Sequence, residues 1–429
     1  MSSTAPSKNE EIISWLRQNS IPIQHITAGS GFADLQPLKT MLAEAKVIGL
    51  GETTHGTREF FQLKHRLLEF LVTEMGFNLF AIEASFAACQ PINDFVLHGK
   101  GELATVLTEQ GYVPWDTEEL TEMLGWIRTH NMNVPVEKKV QFLGVDLWRN
   151  DFGRHAVLDY LHTVDPNRYP ATQILFETLS KAEAKWPAYI DEATRTTLEQ
   201  LLPQIENLLQ HLIVNKDALV SHSSSAQFSR ILQYVRVMLQ WLIANTPNTP
   251  HPLRPKGHAR SVQMAENLVY LLNQGKPDAK CVFWAHNYHV ALEDLWNGDP
   301  NCGYHLRKQF GSDYVSLGFE FNQGSFYTRT ALAGGGLGAL KIVTLPAASS
   351  ESWSWYLDQT NRGDLLLNLR APIANAGIRQ WLNTPRHMHN ANWGYDEKST
   401  YGAAINLLKK FDGIIFVENT TPSRNKLNV

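Results

Sequence analysis

The sequence lacks the features that mark exported, membrane or nucleic-acid-binding proteins. No stretch approaches the roughly 18 unbroken apolar residues of a membrane span, and the polar N-terminus, 1–11, has no apolar signal core. Its three cysteines, Cys89, Cys281 and Cys302, are too few for a disulfide framework, which suits a reducing cytoplasm. A net charge of -4 leaves no basic footprint for nucleic acid. We therefore expect a cytoplasmic protein with neither a membrane nor a nucleic-acid partner; its oligomeric state stays unknown.

Common catalytic signatures are also missing. The chain has no G-x-S-x-G nucleophile elbow and no H-E-x-x-H zinc motif. The glycine run at 334–338 has neither the preceding strand nor the following capped helix that a nucleotide-binding loop requires. No cysteine lies in an evident activating pair. If the protein is a hydrolase, its nucleophile is therefore expected to be an activated water molecule rather than a serine.

The residues that are present centre on one strand-turn-helix stretch. The apolar run 47–50 predicts a short strand that is buried on both faces. Apolar residues then recur every three or four positions over 60–75, which predicts a long helix that stops at Gly76. Glu52 and His55 are thereby placed at the carboxyl end of a strand and beside a helix N-terminus. In open α/β sheets this edge is where ligands bind.

Further apolar runs predict a sheet whose strands are joined by helices. The long helix is a crossover, so the strands on either side of it should be parallel and connected in the right-handed sense. The predicted fold class is α/β, with a central sheet that is mainly parallel or mixed and is flanked by helices. Predicted strands occupy 47–50, 77–82, 140–145, 280–285, 314–319 and 411–417, with candidate edge strands at 326–329 and 340–345. Predicted helices occupy 9–18, 35–45, 60–75, 92–98, 103–107, 117–131 and 258–274.

The strand pattern disappears between about 153 and 249, where only helical spacing remains. Pro203 lies inside one of these helical patterns and should kink or split it. We therefore divide the chain into an α/β catalytic core, residues 1–152 and 252–429, and a helical insertion, residues 153–251, with a lid as its candidate role.

Polar side chains follow four of the predicted strands at their carboxyl ends. These ends share one edge of a parallel sheet, so acids, imidazoles and cations from distant parts of the chain should converge there. An imidazole can take a proton from water near neutral pH, and a carboxylate on its other nitrogen would fix the tautomer. A second imidazole or an arginine could stabilise an oxyanion. The candidates are Glu52, His55, Glu83, Asp146, His286 and His289, with Arg58, Lys64 and Arg149 nearby in sequence.

Each candidate taken alone also has a purely structural explanation. A histidine beside an apolar strand is most often a core residue, and Glu52 could serve only as a partner of the helix dipole. Arg58 and Lys64 could be solvated helix charges. A structural explanation of the whole set requires several independent coincidences at one sheet edge, so we favour a polar site.

Five motifs together resemble those of the erythromycin esterase family. The resemblance extends from about residue 35 to the C-terminus and is weakest in the helical middle. G-E-x-x-H alone is a moderate signal, whereas several motifs in the family's order are a strong one. The motifs are Gly51-Glu52-Thr53-Thr54-His55, Phe80-Ala81-Ile82-Glu83-Ala84, Gly144-Val145-Asp146-Leu147-Trp148-Arg149-Asn150, Ala285-His286-Asn287-Tyr288-His289 and the C-terminal run 411–421.

The resemblance implies hydrolysis of the macrolactone ester of macrolide antibiotics, which opens and inactivates the ring and so gives macrolide resistance. It implies no serine nucleophile and no clear requirement for a metal. Carried over residue by residue, it implies that His55 is the general base that activates water and that Glu52 and Glu83 orient or stabilise it. His286 and His289 would bind the substrate or assist proton transfer.

One position departs from the family pattern. Macrolide esterases can carry arginine where this chain has Lys64, and lysine keeps the charge but loses the bidentate fork. The substrate range is therefore open at this position. We group Lys64 with Arg58, Asp146 and Arg149 as expected substrate-binding residues, and we expect a small-molecule macrolide substrate and no cofactor.

Two alternatives remain open from the sequence. The first is a metal-dependent hydrolase of the same family that acts on a non-macrolide substrate, with Glu52, His55, Glu83 and His286 as nitrogen and oxygen ligands suited to zinc or manganese. The second is a non-catalytic or polysaccharide-related binding protein that keeps the pocket. The complete set of acids and histidines argues against loss of catalysis.

Overall fold

A mixed β-sheet runs through the centre of the protein. The structure is a computed structural model, and it describes residues 8–184, 191–252, 259–275, 277–293, 300–332 and 336–426. Within them the sheet has ten strands. These are β1 (Ser20–Pro22), β2 (Val47–Leu50), β3 (Leu79–Ser85), β4 (Gln141–Asp146), β5 (Cys281–Trp284), β6 (Tyr314–Ala331), β7 (Leu337–Leu345), β8 (Leu365–Asn368), β9 (Gly394–Tyr395) and β10 (Gly413–Thr420).

The strand order across the sheet is β1-β8-β10-β6-β2-β5-β3-β4, with β7 and β9 paired to β6. The six strands from β10 to β4 are parallel to one another. The pairs of β8 with β1 and with β10, and of β7 with β6, are antiparallel. The predicted α/β class with a mainly parallel, mixed sheet is therefore confirmed.

Helices cover both faces of this sheet and also form a region of their own. Short 3-10 helices lie at Val113–Trp115, Val136–Lys138, Gly311–Asp313 and Glu397–Ser399. The α-helices are α1 (Lys8–Asn19), α2 (Leu38–Met41), α3 (Arg58–Met75), α4 (Gln90–His98), α5 (Leu103–Glu109), α6 (Glu118–Met132), α7 (Asp151–Val164), α8 (Tyr169–Glu183), α9 (Glu192–Val214), α10 (Lys216–Ser221), α11 (Ser225–Asn245), α12 (Ala259–Gln274), α13 (Asn287–Val290), α14 (Cys302–Phe310), α15 (Trp353–Asp358), α16 (Ala376–Leu382) and α17 (Leu407–Lys410).

Alternation along the central strands supplies apolar side chains to both layers. Every residue of β2, β3 and β5 is buried, as expected for parallel strands covered on both faces. Ile48 and Leu50 join an apolar cluster that includes the buried side of α3. Val47 faces the opposite way and joins a cluster with α12. The carboxyl ends of the strands therefore lie between two layers of packed helices.

Several elements differ from the prediction in ways that have a local cause. β6 is one continuous strand, so the predicted edge strand at 326–329 is its second half. Helix α2 covers only Leu38–Met41 instead of the predicted 35–45, and it begins directly after Pro37, since the residue before a proline is disfavoured in the helical region. β1, β8 and β9 are too short to show a periodic pattern, and the prediction missed them.

Helices α7 to α11 pack into an apolar cluster that is separate from the two beside the sheet. The predicted split at Pro203 is wrong, because α9 continues through that residue. The lost backbone hydrogen bond is offset by packing: α9 buries five leucines and an isoleucine in this cluster. A lid function for this region stays a prediction. Within the described residues, no helix is long and apolar enough to cross a bilayer.

His65, on the buried side of α3, predicts a measurable pH dependence of folding. It is 6% exposed, its Nε2 has no hydrogen-bond partner among the described residues, and Glu69 Oε1 is 3.8 Å away. Burial lowers the pKa of His65 to about 4 from 6.5. As the pH falls, His65 is therefore protonated in the unfolded state before it is protonated in the folded state. We expect this difference alone to lower the free energy of unfolding by about 2 kcal/mol between pH 7 and pH 5.

Urea unfolding of the wild type and of His65→Gln at both pH values checks this expectation. The uncharged variant should lose less stability over the same interval, by about 2 kcal/mol. Equal losses in the two proteins would contradict a neutral, buried imidazole at this position.

Candidate active site

The turn after β2 carries two of the predicted residues into the interior. We call residues 51–56 the reactive loop. Gly51 allows a close approach, because a Cβ there would lie 2.1 Å from Asn287 Oδ1. At this short separation the backbone N–H of Asn287 donates a hydrogen bond to the Glu52 carbonyl at 2.8 Å. The start of α13 is thereby tied to the reactive loop across the sheet edge.

Glu52 and His55 form a hydrogen-bonded pair inside this loop. His55 Nδ1 lies 2.6 Å from Glu52 Oε1, and Glu52 is completely buried. The other carboxylate oxygen, Oε2, accepts from Lys64 Nζ at 2.5 Å and from Trp284 Nε1 at 2.7 Å. A buried carboxylate requires such donors, because its desolvation is otherwise very costly. The pair leaves His55 Nε2 with no hydrogen bond to any described residue.

The charges around the pair set the proton affinity of both basic groups. Burial lowers the pKa of His55, but the hydrogen bond and charge of Glu52, together with the charge of Glu83, outweigh it and raise that pKa above 6.5. Burial lowers the pKa of Lys64 to about 8 despite the opposing effect of Glu52. An imidazole with this carboxylate partner can accept a proton at Nε2 and hold the resulting charge.

Glu83, near the end of β3, organises a second group of contacts. Its Oε2 accepts the backbone N–H of His286 at 2.9 Å, and its Oε1 accepts from Arg260 Nη2 at 2.8 Å and lies 3.2 Å from His289 Nε2. Burial raises the pKa of Glu83, but His289 and Arg260 outweigh this effect and hold the pKa well below its ordinary value. Glu83 is therefore an anion that anchors one histidine backbone and one imidazole.

His286 is a neutral imidazole next to His55. Its Nδ1 accepts the backbone N–H of Tyr288 at 3.2 Å, so Nε2 carries the proton and points to the Thr53 carbonyl at 3.4 Å. Burial, followed by the charge of His55, lowers the pKa of His286 well below 6.5. The ring centroids of His286 and His55 are 5.3 Å apart. The two imidazoles thus differ in proton affinity within one site.

Arg260, in the first turn of α12, joins the acids of two strands. It binds Asp146 in bidentate fashion, with Nε to Oδ1 at 3.0 Å and Nη2 to Oδ2 at 2.5 Å, and it also reaches Glu83. Its guanidinium lies 4.6 Å from the Trp148 ring. Both carboxylate oxygens of Asp146 are therefore engaged by Arg260.

A large cavity opens in front of these groups. Its volume is about 790 Å³, within the range of pockets that bury a drug-sized ligand. Tyr112 lines this cavity, and its ring centroid lies 6.3 Å from that of His55, which is not itself a lining residue. The wall is contributed by the end of β3, the segment before α6, helices α7, α8 and α11, and β6 with β7. Its residues include Glu83, Tyr112, Trp148, Arg149, Asp151, Arg154, Glu183, Trp241, Arg329, Leu337 and Trp393.

The structure brings most of the predicted residues together. Glu52, His55, Glu83, Asp146, His286 and His289 form one connected set at the sheet edge.

The four expected substrate-binding residues have different positions. Arg149 lines the cavity, where its backbone has a positive φ of 51° and its guanidinium pairs with Asp151 at 3.1 Å. Lys64 is completely buried beneath Glu52, and Asp146 lies beneath Arg260, so neither is presented to the cavity. Arg58, at the start of α3, does not line the cavity; its Nε lies 3.7 Å from Glu119 Oε1. Contact with a substrate stays a prediction for each of the four.

Sequence reasoning missed three residues of the site. Arg260 had a detectable signal, since a cation in the first turn of a helix opposes the helix dipole and requires an acidic partner. Trp284 lies within a uniformly apolar strand, and no sequence motif indicates that its indole N–H donates to Glu52. Tyr112 lies in an irregular segment, where sequence periodicity gives no information.

The donor set bears on the open question of a metal ion. Glu52 Oε1 and Oε2 already accept from His55, Lys64 and Trp284, and Glu83 is held by Arg260 and a backbone N–H. Nowhere in the described ranges do three or more of the side chains of His, Cys, Asp and Glu come together as metal ligands would. The two carboxylates are thus occupied by these donors and both ring nitrogens of His286 are engaged, whereas His55 Nε2 has no hydrogen bond to a described residue.

Comparison with known proteins adds independent information. The family model described as erythromycin esterase matches residues 72–420, which is most of the chain. A relative in Escherichia coli, erythromycin esterase type II, is 28% identical over 334 residues, which cover 72% of this chain and 77% of that relative.

Two solved structures share the fold. A Bacillus cereus protein aligns with a TM-score of 0.81 at 25% identity, over 98% of this chain and 100% of that one. A mutant of the erythromycin esterase EreC in its open conformation aligns with a TM-score of 0.68 at 18% identity, over 92% of this chain and 96% of that one.

Proposed function

We propose, from the premise that this chain belongs to the erythromycin esterase family of carboxylic ester hydrolases, that it opens the lactone ring of macrolide antibiotics. The observation that carries the proposal is the Glu52–His55 pair, whose imidazole packs against Tyr112, a residue in the wall of a cavity of about 790 Å³. A water molecule at His55 Nε2 would be the nucleophile. Opening the ring would inactivate the antibiotic and give resistance to it.

The proposed reaction begins with proton transfer from water to His55 Nε2. The hydroxide oxygen bonds to the lactone carbonyl carbon, while Glu52 stabilises the imidazolium that forms. We assign stabilisation of the oxyanion to the guanidinium of Arg260, which lies beside His289 and Glu83. The bond from the carbonyl carbon to the ring oxygen then breaks, and His55 returns its proton to the departing alkoxide. The product is a ring-opened hydroxy acid.

The cavity supports a large and mostly apolar substrate. Three tryptophans, Trp148, Trp241 and Trp393, line it, and most charged groups in its wall are already paired with one another. Arg154, for example, pairs with Glu183. Such a wall offers a large apolar contact surface and few unpaired polar groups. This suits a macrocycle that is mostly apolar and carries scattered hydroxyl groups.

Mass spectrometry of macrolides incubated with the purified protein tests the substrate assignment. We expect a gain of one water for at least one lactone in a panel of 14- and 16-membered rings. A simple activated ester in the same assay reports ester hydrolysis independently. Turnover of the simple ester with every macrolide unchanged would reject the macrolide assignment while keeping the esterase.

We propose further that the reaction needs no metal ion. The carboxylate oxygens of Glu52 are already used by a lysine, an indole and an imidazole, so this carboxylate would have to give up these partners to bind a metal ion. Hydrolysis should therefore persist after treatment with a chelator and removal of the chelator by dialysis. Loss of activity that returns with zinc or manganese would favour the metal-dependent alternative.

We also propose that the protein acts in the cytoplasm. Its three cysteines are all free and buried, which suits a reducing compartment.

A further inference from the structure

A second buried pair of acid and imidazole lies one strand away from the reactive pair. His389 Nδ1 is 2.7 Å from Glu320 Oε1, and the backbone N–H of His389 donates to Glu320 Oε2 at 2.9 Å. Glu320 is completely buried and His389 is 3% exposed. The His389 ring is stacked between Phe321 and Tyr401, at centroid distances of 4.4 Å and 4.7 Å. One carboxylate thus fixes both the backbone and the ring of His389.

This second pair is connected to the reactive loop by main-chain contacts. Glu320 lies on β6, the strand that pairs with β2, from which the reactive loop emerges. Two residues beyond His389, the N–H of Ala391 donates to the Thr53 carbonyl at 3.0 Å, and Ala391 forms a parallel bridge with Thr54. The same Thr53 carbonyl receives His286 Nε2. The segment 389–391 and His286 therefore contact the reactive loop at the same carbonyl oxygen.

Fold stability alone gives a weak reason for this arrangement. Replacing a buried ionic pair by well-packed apolar residues is often neutral or stabilising, because desolvation offsets the attraction between the charges. Here the carboxylate accepts three hydrogen bonds, the third from the Phe321 N–H at 2.9 Å, and all three orient the chain around His389. Directional contacts of this kind fix a backbone position in a way that apolar packing does not.

We propose that the Glu320–His389 pair positions the reactive loop, so that the hydrogen bond between Glu52 and His55 keeps its working geometry. Both residues are positioning residues that act through Ala391 and Thr53. A displacement of about 1 Å at a catalytic group can reduce the rate about 100-fold. The pair should therefore affect kcat much more than KM. The inference rests on the proposed role of His55 and deepens it.

Substitutions at position 389 separate positioning from simple loss of folding. His389→Leu removes the hydrogen bond to Glu320, whereas His389→Asn keeps an amide N–H near the position of Nδ1. We expect His389→Leu to lower kcat for a simple ester about 10- to 100-fold with KM changed less than about 3-fold, and His389→Asn to restore most of kcat. Should His389→Leu fail to fold, Glu320→Gln replaces it in the same comparison.

A second readout needs no substrate. In protein labelled with nitrogen-15 histidine, NMR reports the Nδ1 proton of His55 and the pH at which the ring titrates. His389→Leu should shift this resonance and move the titration midpoint of His55. A change in the NMR signal without macrolide turnover would retain the positioning role while rejecting the macrolide assignment.

Asp165→Asn provides a matched control. Asp165 Oδ2 lies 2.6 Å from His211 Nε2, a pair of the same kind in the helical region. The control should leave kcat and the His55 resonance as in the wild type. If His389→Leu lowers the melting temperature but leaves kcat and the His55 signal unchanged, the pair is only structural and the inference is wrong. A change confined to KM would also overturn it, since Trp393 of the cavity wall lies close by in sequence.

Discussion

Replacing His55 with alanine is expected to lower kcat/KM for ester hydrolysis by about 10³- to 10⁴-fold. We assign the proton transfer to His55, because its Nε2 has no hydrogen bond to a described residue and can take a proton from water. Its Nδ1 is bound to Glu52, whereas His286 is a neutral imidazole with both nitrogens engaged. Steady-state kinetics with a simple ester, together with mass spectrometry for macrolides, measures the loss.

His55→Asn sharpens the test and His211→Ala controls it. The asparagine amide can still reach Glu52 but cannot act as a base, so both His55 variants should be equally inactive. His211→Ala removes a histidine with an acidic partner in the helical region and should keep full activity. Activity of His55→Ala within about tenfold of the wild type would refute general-base catalysis by this residue.

Replacing Glu52 with glutamine should be nearly as damaging, by two separate routes. The carboxylate accepts three hydrogen bonds, from His55, Lys64 and Trp284, and an amide can supply only one acceptor oxygen. Breaking a buried ion pair on one side costs about 3–5 kcal/mol of folding stability, because the lysine is left uncompensated. Loss of the charge that orients and stabilises the imidazolium should lower kcat about 10²- to 10⁴-fold.

The pH dependence of kcat/KM gives Glu52→Gln a specific signature. Glu52 raises the pKa of His55 in the wild type, and a general base works only when unprotonated. Wild-type activity should therefore fall as the pH drops through a value above 6.5. In the variant the pKa of His55 falls, so the acidic limb of the profile should move to lower pH, although the maximal rate is smaller.

Asp34→Asn separates the loss of stability from the loss of catalysis. Asp34 Oδ1 pairs with the buried Arg66 at 2.5 Å, away from the residues that line the cavity. Urea unfolding should show both variants destabilised, but only Glu52→Gln should lose catalysis and shift its pH profile. An unchanged acidic limb in Glu52→Gln would show that the carboxylate does not control the proton affinity of His55.

The part of the site that follows strand ends could be predicted from sequence. Glu52, Glu83, Asp146 and His286 each come at or directly after an apolar run, and parallel pairing brings those ends to one edge. Spacing alone was sufficient to place them.

The partners of these residues could not be predicted in the same way. Lys64 and Arg58 both lie on α3, yet only Lys64 turns inward to Glu52, and no periodicity distinguishes them. The contribution of α12, which sends Arg260 between β3 and β4, depends on how the helix packs over the sheet. The three shortest strands and the intact helix at Pro203 likewise depend on tertiary contacts that outweigh local sequence preference.

The Glu52–His55 pair and the wall of the cavity, which would determine substrate specificity, come from different stretches of the chain. The Glu52–His55 pair lies in the reactive loop after β2 and its supports lie on α3 and β5, whereas the cavity wall comes from the end of β3, the segments 110–113 and 148–149, helices α7, α8 and α11, and the paired strands β6 and β7. Substitutions in the cavity wall can therefore accumulate during evolution while the Glu52–His55 pair and its supporting residues stay unchanged. New ester specificities can therefore arise without loss of hydrolysis, so the preferred ester of one descendant need not be that of another.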